Sequence, residues 1–136
     1  EVNRSQPGKN FGWPEVSYGT HYTGQPFPVA QRSDVVSPLY YWDPSIAPSG
    51  AAFYDGNLFP AWKDNLFVGA LRDRMIARVK ITNGRASEEE RLLENKFGRI
   101  RDVRVGPDGA IWFATDDSEG AIYRIISAGD AVWQQF

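Results

Sequence analysis

Leu66-Phe67-Val68-Gly69-Ala70-Leu71, a polar break at residues 72–74, then Met75-Ile76-Ala77-Arg78-Val79 is a stretch that the chain writes twice. It returns as Ile111-Trp112-Phe113-Ala114-Thr115, a break at residues 116–120, and Ala121-Ile122-Tyr123-Arg124-Ile125. Each copy is an apolar run rich in β-branched and aromatic residues, a turn, and a second run ending in Arg and a branched aliphatic. That is the pattern of a β-hairpin. Leu66 and Ile111 stand 45 residues apart, the spacing of successive blades in a propeller-type repeat.

Working outward, a further strand is expected ahead of each hairpin, over residues 50–54 and 100–105. The connections carry turn chemistry: Asp55-Gly56, Lys63-Asp64-Asn65 and Pro107-Asp108-Gly109. Asn83-Gly84 closes the first hairpin, and residues 90–94 would add an outer strand, although residues 88–95 also have helical character. Residues 1–45 are punctuated by Pro7-Gly8, Gly12-Trp13-Pro14 and Pro38, which leaves Val35-Val36 and residues 39–42 as short strand candidates. The reading is an all-β chain: an irregular connection over 1–45, a blade over 46–97 and a last blade over 98–136, in all two to three blades of a β-propeller. So few blades cannot close a ring, and an open arc leaves apolar sheet faces uncovered. The remaining blades are expected from elsewhere, and the piece alone is expected to be poorly soluble or loosely folded.

Composition agrees with a globular β chain. It is 42% hydrophobic and 24% charged, with 13 glycines and 9 prolines for tight turns. A net charge of −2 offers no general attraction to nucleic acid. No apolar run approaches the roughly 18 residues of a membrane span. With no cysteine, disulfides and thiolate metal sites are excluded.

The chemistry concentrates in Arg99-Ile100-Arg101-Asp102-Val103-Arg104. In a regular strand Arg99 and Arg101 share a side about 7 Å apart, which makes a fork-like receptor for carboxylates or phosphates. Two solvated surface arginines would look the same in sequence, and both readings stand at this point. Arg72, in the break after the first run, would add a third cation or serve as an ordinary turn residue. Tyr40, Tyr41 and Trp42 form an aromatic cluster suited to core packing or to a sugar platform. His21, the only histidine, lacks the partners of a triad or a transition-metal site and reads as structural or rim-exposed. Glu88-Glu89-Glu90 reads as a solvated edge, since it lacks the spaced ligands of a calcium loop.

Several of these runs together resemble the pyrroloquinoline quinone (PQQ)-dependent soluble aldose sugar dehydrogenases of the glucose/sorbosone dehydrogenase family. The matching segments are Gly8-Lys9-Asn10-Phe11-Gly12-Trp13-Pro14, Tyr18-Gly19-Thr20-His21-Tyr22-Thr23-Gly24, Tyr40-Tyr41-Trp42 with Ser49-Gly50, residues 66–72, and Gly98-Arg99-Ile100-Arg101-Asp102-Val103-Arg104 with Gly106-Pro107-Asp108-Gly109. The resemblance implies a six-bladed propeller when complete, with this chain as its C-terminal part, in a periplasmic or secreted protein. It implies that Arg99 and Arg101 hold the PQQ carboxylates, with Arg72 at a position commonly Lys in relatives. Ser45 would lie near the cofactor, and Tyr41 and Trp42 near the sugar. Glu1 and the carbonyl of Phe11 would be ligands of a structural Ca2+, while a second, quinone-polarising calcium would be held upstream.

The reaction implied is oxidation of an aldose at C1 to a lactone, passing electrons to an unspecified acceptor, with a His general base in an earlier blade. His21 does not match that base, so the chain alone is expected to be inactive. Two rivals share the fold. A lactonase-type propeller would need a metal in its channel, where this chain offers arginines. A non-catalytic binding propeller is distinguished only by residues outside this chain.

Overall fold

The computed structural model describes residues 1–21, 23–27 and 32–128. They form two compact units: one of Glu1–Ile46 with Thr82–Ala86, the other of Ala47–Ile81 with the chain from Ser87 onward.

From Ala47 onward the chain forms two antiparallel sheets, which lie in the second unit apart from Thr82, Arg85 and Ala86. The first sheet has the order β1-β2-β3-β4, formed by β1 (Pro48–Phe53), β2 (Leu66–Ala70), β3 (Met75–Thr82) and β4 (Arg85–Leu92). The second has the order β5-β6-β7, formed by β5 (Ile100–Val105), β6 (Ile111–Thr115) and β7 (Ile122–Ile125). Both expected hairpins and both preceding strands are therefore present, and the all-β, blade-like reading holds. Residues 129–136, expected to complete the last blade, lie outside the described residues.

The apolar runs form strands because alternate side chains have a partner sheet to bury against. Tyr54, Phe67, Ile76, Ile100, Val103, Ile111 and Phe113 make one core, all at most 2% exposed, and draw on both sheets. Tyr54 also stitches the sheets with hydrogen bonds. Its hydroxyl donates to the carbonyl of Gly109 at 2.8 Å and accepts from the Phe59 amide at 3.0 Å.

The two innermost strands lie side by side and run the same way. Ser49 donates to the Ile100 carbonyl at 2.7 Å, Gly50 sits on Asp102, and Arg104 reaches the Ala51 carbonyl. A Cβ on Gly50 would stand 1.8 Å from Asp102 Oδ1 and 2.7 Å from its Cα, so only glycine permits this approach.

Each inner strand carries a β-bulge. In the first sheet Pro48 pairs with Ala70 and Ala51 with Val68. In the second Ile100 pairs with Thr115 and Asp102 with Ala114, which leaves Arg101 as the extra residue. The bulge explains why Ile100 and Val103, three residues apart, are both fully buried, a spacing that strict alternation forbids.

Three local expectations change. The outer strand covers Arg85–Leu92 and not residues 90–94. It starts directly after Asn83 (φ 52°) and Gly84 (φ 73°), whose left-handed pair makes the tight turn out of β3. Helical character over 88–95 gives way to pairing along β3. Val35-Val36 and residues 39–42 form no strands, because they find no neighbouring strand to pair along. Among the described residues of Glu1–Ile46, pairing is confined to two isolated bridges, Val2 with Tyr40 and Thr20 with Pro26. The first unit buries Val16, Trp42 and Ile46.

Candidate functional site

Where β5 begins, the sheet register sets Arg99 opposite Asp116, the residue just past β6. The Asp116 amide donates to the Arg99 carbonyl at 2.8 Å, so the two side chains start from fixed neighbouring positions. Arg99 Nε then donates to Asp116 Oδ2 at 2.8 Å. Arg101, displaced by the bulge, brings Nη2 within 2.9 Å of Asp116 Oδ1 and Nε within 3.2 Å. The two guanidiniums thus converge on one carboxylate. Their Asp116 partner carboxyl is held below the usual carboxylate range, first by Arg101 and then by Arg99.

The paired arginines remain open to solvent, with side chains 49% and 54% exposed. Each guanidinium has five N–H donors, and Arg99 meets Asp116 through Nε. Two positive charges against one negative leave a net positive edge with unspent donors. That donor set fits a ligand bearing several carboxylates, which is the test the PQQ expectation had to meet.

Arg72 lies in the β2–β3 turn, at the end of the first sheet where β1 begins. Because β1 and β5 run the same way, this is the end at which Arg99 lies. Arg72 is 57% exposed, with Nε 3.9 Å from Asp73.

In the first unit, Glu1, Phe11, Trp42 and Ser45 all line one cavity of about 130 Å³, together with Ser17 and Tyr18. Carboxylate and hydroxyl oxygens there suit a hard cation. Among the described residues no cluster of three or more acidic, His or Cys side chains is placed to hold a metal, so carbonyls and water would have to complete any shell. Trp42 is buried and meets Tyr40 edge to face at 5.0 Å, which is core packing with one edge on the cavity. Tyr41 is exposed and stacks on Tyr18 at 3.9 Å. His21 is exposed, with its ring 3.9 Å from that of Phe27. Tyr22 lies outside the described residues.

Sequence reasoning missed Asp116, which it left inside a polar break. The signal was available: once residues 111–115 are paired antiparallel with residues 100–105, the residue after Thr115 falls opposite Arg99.

Adjacent inner strands, a period of 45 residues and two exposed arginines converged on Asp116 describe an all-β propeller-type protein with a positively charged edge at one end of its sheets. Residues 1–124 match the family model described as Glucose / Sorbosone dehydrogenase, and the chain belongs to that family. It is 40% identical over 128 residues to the aldose sugar dehydrogenase YliI of Escherichia coli (strain K12), covering 92% of this chain and 34% of the relative. A crystal structure of a glucose dehydrogenase superposes with a TM-score of 0.85 at 42% identity, covering 93% of this chain and 37% of that one. The PQQ-bound form of aldose sugar dehydrogenase from Streptomyces coelicolor gives 0.62 at 26% identity, covering 91% and 34%. The chain spans about a third of the length of these relatives. No helix among the described residues is long and apolar enough to cross a membrane.

Proposed function

We propose that the whole protein to which this chain contributes is a PQQ-dependent oxidoreductase that oxidises aldose sugars at C1 to lactones. The observation that carries this reading is the Arg99–Arg101 pair, converged on one carboxylate while half of each side chain stays open. It is supported by membership in a sugar dehydrogenase family and by likeness to a PQQ-bound relative.

When bound, the quinone supplies a two-electron oxidant for the anomeric carbon. The residues of this chain do the holding. Arg99 and Arg101 would bind cofactor carboxylates by charge-assisted hydrogen bonds, and Arg72 would add positive charge at the same end of the sheets. Tyr41, Trp42 and Ser45 would shape the sugar and cofactor surroundings. Glu1 and Phe11 would provide oxygen ligands to a structural Ca2+. The general base would come from outside this chain, as would the remaining blades. A periplasmic or secreted setting belongs to the same proposal.

The test is reconstitution of the full-length protein with PQQ and calcium. Aldoses should then drive reduction of an artificial electron acceptor. The double substitution R99A/R101A should weaken cofactor retention about 100-fold, from the loss of several charge-assisted bonds, with little change in sugar KM among molecules still loaded. Wild-type retention in that variant would remove the physical basis of the assignment.

A further inference from the structure

Asp116 is not required by the fold. The first sheet makes the same backbone closure without it: the Leu71 amide donates to the Ala47 carbonyl at 3.0 Å, as the Asp116 amide donates to the Arg99 carbonyl at 2.8 Å. Where the second sheet has Arg99, the bulged Arg101 and Asp116, the first has Ala47, the bulged Ser49-Gly50 segment and Leu71. An aspartate at this place therefore answers to the arginines.

Its position also decides which way it acts. The Asp116 backbone is tied into the sheet register, which fixes where its side chain starts, and its carboxylate lies between the guanidiniums, with Oδ2 on Arg99 and Oδ1 on Arg101. Two cations reaching for one ligand repel each other and sample many rotamers. An anion fixed between them lowers that repulsion and orients their open edges outward. The 49% and 54% exposure of the two side chains leaves those edges accessible.

We propose that Asp116 is a positioning residue that clamps Arg99 and Arg101 into a preorganised receptor and sets its charge at net positive one. This rests on the reading of Arg99 and Arg101 as the cofactor carboxylate receptor. Preorganisation acts on dissociation, because a rigid receptor loses less entropy on binding. Net charge acts on association, through long-range steering. The two roles of Asp116 therefore separate kinetically.

The experiment uses the full-length apoprotein and PQQ, with binding followed by cofactor absorbance and fluorescence in a stopped-flow instrument, independently of turnover. In Asp116→Asn the cofactor should dissociate about tenfold faster. Its association should be no slower at low salt and should fall more steeply as salt is raised, because the receptor charge has risen by one. Asp116→Glu should recover part of the slow dissociation. Wild-type dissociation in Asp116→Asn, with R99A/R101A failing to hold PQQ, would overturn the clamp and leave the receptor reading intact. Wild-type retention in R99A/R101A would overturn the receptor itself. Slower association in Asp116→Asn, with an unchanged salt dependence, would mark a structural role and also overturn the proposal.

Discussion

The two sheets are copies in backbone and opposites in chemistry. Both have a bulged inner strand, a hairpin behind it and the same hydrogen bond closing the inner pair. In the first sheet the closing positions hold Ala47 and Leu71, while its Ser49, Gly50 and Tyr54 press on the neighbour. In the second they hold Arg99 and Asp116 beside the bulged Arg101, the arginines exposed at the edge and Asp116 half-buried between them. One blade supplies support and the other displays charge, and the difference lies in side chains that the shared backbone does not constrain.

The sharpest way to break this comparison is to remove the charge and ask whether the fold notices. If the first sheet shows what the backbone needs, R99A/R101A should leave the thermal midpoint within about 2 °C of wild type, as for exposed ion pairs, even as cofactor retention collapses. A large fall in the midpoint would mean that the arginines hold the sheets together.

Next in size is the support itself. Gly50→Ala drives a methyl into the Asp102 backbone beside the Arg101 bulge. It should cost about 3 kcal/mol, at the upper end for overpacking, read as a lowered urea midpoint of the full-length protein. Cofactor retention should weaken with it, because the inner strands must part where the bulge aims Arg101. Tyr54→Phe should cost about 2 kcal/mol, since it leaves the Gly109 carbonyl and the Phe59 amide without their buried partner. Its effect should stop at stability, with retention unchanged. A loss of retention in Tyr54→Phe would blur the division between support and display.

The same division explains what could be read in advance. The hairpins were legible because alternation and turn residues are local signals, and Asn83-Gly84 marks its turn by the left-handed backbone it tolerates. The bulge was not, because an extra residue appears only as a break in period, here Ile100 to Val103, which a strand read alone treats as noise. β4 was misplaced because Glu88, Glu89 and Glu90 lie on an outer strand, where water accepts charge and the apolar signal fades. Strands proposed in residues 1–45 failed for want of partners, which propensity does not count. That Arg99 and Arg101 would lie side by side followed from their spacing. Asp116 needed the register between two strands, which is a tertiary fact.

The smallest effect expected is an acid one, and it too separates the sheets. Asp116 and Asp108 flank β6 at opposite ends, and both carboxyls sit below their ordinary 3.8. For Asp108 the leading cause is the hydrogen bond from Trp112 Nε1 at 3.0 Å, with the Ala110 amide and Arg124 adding to it and desolvation opposing. A carboxyl with a lowered folded pKa stabilises the native state above its unfolded value, and that contribution disappears as pH falls through the lower folded value. On the 45-residue offset the first sheet holds Lys63 and Leu71 at these places, which contribute nothing of this kind. The stability gap between wild type and D108N or D116N should therefore be constant above about pH 5 and close below pH 3.8. It should also shrink in 1 M salt, since both carboxylates are exposed to screening. Hydrogen exchange in acid should lose protection in β6 and β7 before β2 and β3. The reverse order would place the acid-sensitive contacts in the sheet that carries neither aspartate.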